Sequence, residues 1–176
     1  MNKTIQYTYG FLLLLLAGGL LFLFLRKEKR IAYVELGKVY TEFTMKKDME
    51  TRLENISQKR QSLLDSMQFH LELSSKEMYA RGTNSPDELA QFEANRQAFM
   101  AKKEEFAREN EQTAADYDSQ IAKKITQYLK TYGKENGYAY ILGADGSGVL
   151  MYAEEAENIT LPIVDYINRE FQKEKK

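Results

Sequence analysis

The sequence predicts an α+β protein, mostly α: one N-terminal transmembrane helix, a long antiparallel helical coiled-coil hairpin, and a small β-body built by oligomerisation. Three observations predict it. A charge-free apolar run fills residues 4–25, apolar side chains recur at 4-3 spacing through the middle of the chain with one interruption at "RGTNSPDE", and the strand-like stretches "RIAYVEL" and "NGYAYILG" flank that helical region. The 176 residues divide into a membrane anchor or signal segment (1–30), a β-containing body (31–48 and 133–176) and a helical arm (49–132) with its tip at 82–85.

The N-terminal run "FLLLLLAGGLLFLFL" is apolar throughout. As a helix rising ~1.5 Å per residue, residues 4–25 span about 33 Å, enough to cross a bilayer. Lys3 and the apolar run suit a secretory signal, yet the only small-residue cluster, Ala17-Gly18-Gly19, lies inside the run, and cleavage there would leave "LLFLFL" on the mature chain. The expectation is an uncleaved anchor in the inner membrane through residues 5–25, with Tyr7 and Tyr9 at one interface. The flanking charges point the other way on orientation. Lys3 precedes the span and Arg26, Lys27, Lys29 and Arg30 follow it, which by the positive-inside count puts the following domain in the cytoplasm. That count weakens before a long domain, which can translocate largely regardless of its charge.

Composition excludes several function classes. With no cysteine, the chain has no disulfide, no thiolate metal site, no thiol nucleophile and no lipid-attachment point. Setting aside Glu28 and the five basic residues Lys3, Arg26, Lys27, Lys29 and Arg30, the rest of the chain carries 25 acidic against 20 basic side chains, a net charge of −5. An acidic body argues against nucleic acid as a partner.

The arm is read from its stripe. Met49, Leu53, Ile56, Arg60, Leu63, Met67, Leu71, Ser74 and Met78 keep one narrow seam on one helix face. At "RGTNSPDE" Gly82 ends the helix, Ser85 caps the next, Pro86 suits its first turn, and Glu88 completes an S-x-x-E capping box. The stripe resumes with Phe92, Phe99, Phe106 and Thr113, then Tyr117, Ile121, Ile125, Tyr128 and Tyr132. Residues 49–81 and 89–121 match in length, so they can lie antiparallel as a hairpin of about 50 Å at ~1.5 Å per residue.

A hairpin with so narrow a seam needs something to hold its base. "NGYAYILG" reads as a turn and strand, "ADGSG" as a tight turn, and "VLMYA" as a second strand of a hairpin. Thr160 is expected to cap a final helix lined by Leu161, Val164, Ile167 and Phe171. The opening strand, Ile31 to Leu36, then joins strands near 138–143 and 149–153, so that the two chain ends clamp the arm. Three strands and one short helix bury little, and other copies of the chain are expected to complete the sheet. The residues assigned to this oligomeric body are Ile31, Tyr33, Val34, Leu36, Tyr138, Tyr140, Ile141, Val149, Leu150 and Tyr152.

The segments "IAYVELGKVYTEF", "KRQ" and "GYAYILGADGSGVLMYAEEAENIT" with its following Val resemble the OmpH/Skp family of periplasmic chaperones over residues 31–62 and 137–170. The resemblance implies a homotrimer with a β-barrel-like body and three helical tentacles around a cavity, which holds unfolded outer-membrane proteins without ATP. The chain departs from the pattern in its acidic soluble part, its retained N-terminal segment and Asn158 in place of the usual Asp of "DIT". The first departure bears on lipopolysaccharide binding and on electrostatic attraction of clients; the second suggests a tethered variant.

Client contact is expected on the arm. With the seam centred on Met67 and ~100° per residue, Phe69 and Leu73 fall on the side away from the partner helix as an i, i+4 apolar pair. The alternative is that they are ordinary exposed side chains or pack against a neighbouring arm. Tyr79 and Met100 are weaker members of the client-binding set, chosen because aromatic and methionine side chains adapt to many shapes. Hinges are placed near 43–47 and 110–113.

The remaining motifs carry less. "GADGSGVL" superficially resembles a phosphate-cradling loop but lacks the lysine and serine of one. His70 is the only histidine and has no second ligand, Glu154 and Glu155 lack partners for acid–base work, and "NIT" matches a short glycosylation sequon. No enzyme, cofactor, metal or catalytic residue is expected. Three readings follow: an ATP-independent periplasmic holdase for unfolded outer-membrane or envelope proteins; a membrane-anchored coiled-coil scaffold of the cell envelope; and a cytoplasmic stalk subunit of a rotary ATPase. The strand signals at both ends oppose the third.

Overall fold

The computed structural model describes Gly18 and residues 30–146, 148 and 150–175. The expected membrane segment lies outside the described residues apart from Gly18, as does Val149. Among the described residues no helix is long and apolar enough to cross a membrane. Strand β1 (Arg30–Glu35) runs directly into helix α1 (Leu36–Glu42), followed by the two long helices α2 (Thr44–Arg81) and α3 (Pro86–Asn136). Strand β2 (Tyr138–Ala144), a 3-10 turn (Glu155–Glu157) and helix α4 (Thr160–Glu174) close the chain.

The turn between α2 and α3 is built from its local chemistry. Gly82 takes the left-handed conformation at φ 71°, which a side chain would resist, and ends α2. Ser85 Oγ accepts from the Glu88 amide at 3.2 Å while the Glu88 carboxylate accepts from the Ser85 amide at 2.9 Å, so two otherwise orphaned donors are satisfied at the start of α3. Arg81 reaches across to Glu88 at 2.7 Å.

The helical seam differs from the expected one at a single step. Leu64 is the buried residue of α2, and Leu63 is 47% exposed. Two four-residue steps, Ile56 to Arg60 and Arg60 to Leu64, follow one another here. Such a stutter keeps pace with the true helical period, where a strict heptad drifts off the face by ~20° per repeat. At the stutter Arg60 sits over Phe106, its guanidinium carbon 5.3 Å from the ring centroid, and donates to Asn110 and Glu109 of α3.

A one-residue break at Phe43 separates α1 from α2. Phe43 has extended backbone (φ −72°, ψ 123°), and its fully buried ring meets Tyr128 and Phe171 edge-on at 6.1 and 5.4 Å. The helix ends exposed by the break are satisfied by one side chain from α4. Asn168 Oδ1 accepts from the Thr44 amide at 2.7 Å and from the Thr44 hydroxyl at 2.6 Å, while its amide donates to the Glu42 carbonyl at 3.1 Å. The stretch expected to act as a hinge, residues 43–47, is therefore tied to α4 at its first two residues.

Among the described residues the sheet has two strands, and they run parallel, with Ile31 beside Tyr140 and Tyr33 beside Leu142. The expected third strand over 149–153 is not formed in its described part, residues 150–153. On the far side of β1, Tyr33 bridges to Asn158, with the Ile159 amide donating to the Tyr33 carbonyl at 3.0 Å. Residues 150–153 therefore lie in the connection that carries the chain from β2 to the opposite edge of β1.

The core lies where the inner face of β1 (Ala32, Val34), α1 (Val39), the base of α3 (Ile121, Ile125, Tyr128) and α4 (Ile163, Ile167) converge on Phe43. Leu36 covers the sheet so closely that a Cβ on Gly143 would sit 2.5 Å from Leu36 Cδ1. The cap of α4 also differs from expectation. Thr160 is the first helical residue, and its amide is bonded at 3.0 Å by Asn158 Oδ1, leaving the Thr160 hydroxyl to accept from the Glu35 amide at 2.9 Å. An Asx side chain two residues upstream can take the capping role and free the hydroxyl to tie α4 to β1.

Candidate client-binding arm and assembly face

The arm is a thin double helix whose single seam leaves most side chains in water. Phe69 and Leu73 stand one turn apart on the same face of α2, 62% and 44% exposed, and the Phe69 ring meets His70 edge-on at 6.0 Å. Tyr79 is 91% exposed near the end of α2, and Met100 is 50% exposed on α3. At ~100° per residue Tyr79 lies about 120° around α2 from Leu73, so the four residues do not gather into one cluster. Two further apolar side chains stand out in water, Leu63 and Leu89, and sequence reasoning missed both. The 4-3 spacing puts Leu63 in the seam; the paired four-residue steps around Arg60 are the signal that moves it out.

Between the distal halves of α2 and α3 lies an open cleft lined by Met67, His70, Leu71, Ser74, Asn95 and Ala98. The small side chains Ser74 and Ala98 leave the seam underfilled there. Nearer the body the seam tightens through Ile121, Ile125 and Tyr128, all buried.

At the body, the residues expected to build an oligomer separate into two groups. Val34 is 1% exposed within its own chain, and Leu36, Tyr138 and Ile141 pack against that core. Ile31, Tyr33, Tyr140 and Leu142 share the other face of the sheet by their register, and Ile31, Tyr140 and Leu142 are exposed there. Leu150 is half-buried, and Tyr152, beside the equally bare Met151, stands in solvent. A sheet face carrying an aromatic and two branched aliphatic side chains is an apolar surface without a cover in the single chain.

Some of the polar groups of the body lie in bonded pairs. Tyr40 donates to Asp118, and that bond holds the Tyr40 hydroxyl protonated, pushing its pKa up to about 12. Glu174 accepts from Lys124 at 2.6 Å and from Tyr128 at 2.9 Å, chiefly the lysine contact lowering its pKa. Burial, and then the Glu174 bond, raises Tyr128. The Glu174 contacts fix α4 across the base of the arm, and the Tyr40–Asp118 bond ties α1 to α3. Among the described residues there is no group of three or more His, Cys, Asp or Glu able to hold a metal ion.

Comparison with known proteins agrees with this architecture. No curated protein matches the chain. A crystal structure of a candidate outer membrane chaperone (OmpH-like) from Caulobacter crescentus superposes with a TM-score of 0.69 at 17% identity, covering 82% of this chain and 86% of that one. The sequence profile of the family described as "Outer membrane protein (OmpH-like)" matches residues 30–167, which span β1, both arm helices, β2 and the first half of α4. The protein belongs to the OmpH-like family of outer membrane proteins.

Proposed function

We propose that the chain is an ATP-independent periplasmic holdase that shields unfolded outer-membrane or envelope proteins in a cavity between the arms of a homotrimer, tethered to the inner membrane through residues 5–25. The observation that carries this reading is the arm itself: its apolar pair, Phe69 and Leu73, is 62% and 44% exposed one turn apart on α2, which with the ~100° per residue of a helix supports a face turned away from the seam. Tyr79 and Met100 are proposed as accessory contacts. Family membership supports a chaperone role, and the uncovered face of Ile31, Tyr140 and Leu142 supports assembly from several copies.

The mechanism is physical. An unfolded barrel strand is amphipathic and aggregates through its apolar face and free edge. Many weak apolar contacts, each worth roughly 25 cal/mol per Å² removed from water, retain such a chain without imposing one conformation. Enclosure then lowers the rate at which clients meet one another.

The deciding experiment dilutes a urea-unfolded outer-membrane barrel protein into buffer with or without residues 30–176 and follows light scattering. Suppressed aggregation at about three chains per client supports the trimeric holdase. Unchanged aggregation in the presence of a well-folded oligomer transfers support to the envelope scaffold.

A further inference from the structure

Charge along α3 changes sign towards its end. From Glu104 to Asp118 the helix carries six acidic side chains against one arginine, and from Ser119 to Gly137 the chain carries four lysines against Glu135 alone. Glu135 accepts from the Tyr166 hydroxyl at 3.2 Å, and Lys124 is paired with Glu174. Lys123, Lys130 and Lys134 are exposed, and among the described residues they take part in no ion pair. A helix dipole favours cations only within the last turn, which accounts for Lys134 and leaves the other two unexplained.

At Gly137, in the left-handed conformation at φ 72°, the chain reverses, and β2 returns along the last turns of α3 with Ile141 against Gly133. The start of β1 pairs with the start of β2, which brings Arg30 to the same end. Its guanidinium lies over Tyr138, 4.5 Å from the ring centroid, and that ring stacks on Tyr132. Among the described residues Arg30 meets no carboxylate. Lys130, Lys134 and Tyr138 line one open groove, so the three cations form one patch. It stands at the opposite end of α3 from the arm tip, about 75 Å away for 51 residues at ~1.5 Å rise.

We infer that Arg30, Lys130 and Lys134 seat the body on anionic phospholipid headgroups, which rests on the proposed anchoring through residues 5–25 and names the surface that faces the bilayer. Residues 26–29 alone separate the proposed span from Arg30, and four residues reach at most ~14 Å in any conformation. Three of those four are basic. The headgroup layer is itself about 5–7 Å deep, so Arg30 is confined to within about a Debye length of the lipid phosphates. At that distance each basic side chain favours an anionic surface about fivefold. The rest of the body is acidic, so only this end is attracted. Seated in this way, the base of the chain lies on the membrane and the arm tip is its far end, clear of lipid.

The chain has no cysteine, so a single reporter can be placed at will. Full-length protein with a fluorophore on Asn136→Cys is reconstituted into phosphatidylcholine vesicles carrying a headgroup spin label, with or without about a third phosphatidylglycerol. Quenching by the spin label should be at least about threefold stronger with the anionic lipid. It should fall to the zwitterionic level at ~0.5 M salt and in K130E with K134E, while the same fluorophore on Thr83→Cys stays unquenched. The salt and lipid arms need no charge variant, and sedimentation of K130E with K134E checks that it folds and assembles as the parent does. If the chain resists alkaline extraction from the vesicles yet quenching at Asn136→Cys ignores lipid charge, the seating is overturned and the anchor stands. Quenching that follows lipid charge but survives K130E with K134E overturns the assignment to these lysines. Release of the chain by alkaline extraction overturns the anchor and the seating together.

Discussion

The Asn158 amide donates to Glu35 Oε1 at 3.2 Å and to Glu155 Oε1 at 3.1 Å, so a neutral side chain lies between two carboxylates. Its oxygen meanwhile accepts from the Thr160 amide and hydroxyl at 3.0 and 2.6 Å. The family pattern that the chain otherwise resembles carries Asp at this position. Here an aspartate would keep both accepted bonds, lose both donated ones and add a third negative charge. Asn158→Asp is expected to cost about 1–2 kcal/mol at pH 7, from two unmade bonds in a partly exposed setting. The penalty should shrink as pH falls into the carboxylate range near ~4. Urea denaturation at the two pH values checks this; an unchanged midpoint at pH 7 contradicts it.

Phe43→Ala should be the most damaging single truncation in the body. The ring is 0% exposed and meets two others, Tyr128 and Phe171. Buried Phe→Ala changes cost ~3–5 kcal/mol, a large part of a typical domain's stability. Asn168→Ala removes the cap on the same break and should cost ~1–2 kcal/mol. Both values are read from the midpoint of chemical denaturation.

Alkaline pH offers a test of the Tyr40–Asp118 contact. Folding raises Tyr40 from its ordinary value of 10.0 to about 12. A raised pKa means that the folded state favours the protonated hydroxyl. The stabilisation is therefore complete below pH ~10 and disappears as pH climbs to ~12. Wild type should lose stability through this window more steeply than Tyr40→Phe, which cannot ionise there. Equal slopes in denaturation curves taken at several pH values would remove the contact from the account.

The ease of reading the chain followed the locality of the signal. The turn at 82–85 is written in four residue types within seven positions: Gly82 ends one helix, and Ser85, Pro86 and Glu88 start the next. The narrow seam was also legible, because helical periodicity repeats itself. Its one-residue error at Leu63 arose where Arg60, a polar residue, occupies the seam and conceals two successive four-residue steps. The sheet was harder. The composition of "VLMYA" announces a strand, but whether a strand forms depends on a partner, and the partner of Tyr33 turned out to be Asn158. Likewise Thr160 looks like a cap until Asn158 takes that role and β1 claims its hydroxyl. The arm's exposed residues were legible as an angle on a helical wheel; their distance from the seam says nothing of what they touch.

The proposed client contact makes the sharpest demand on the arm. Replacing both Phe69 and Leu73 with Ser removes apolar area from side chains already 62% and 44% exposed, so the cost in stability should stay within ~0.5 kcal/mol each. Each lost contact is worth up to ~1.5–3 kcal/mol where a client would have buried the side chain fully. Client retention should then fall by about tenfold or more, since ~1.4 kcal/mol is a factor of ten in binding. Titration of an unfolded barrel protein by fluorescence measures the first quantity, and sedimentation of the variant measures assembly. Weakened retention with an unchanged oligomer assigns the pair to the client. If the oligomer dissociates instead, Phe69 and Leu73 pack between arms, and the apolar surface that retains clients must be sought in the cleft of Met67, Leu71 and Ala98, where the seam is underfilled.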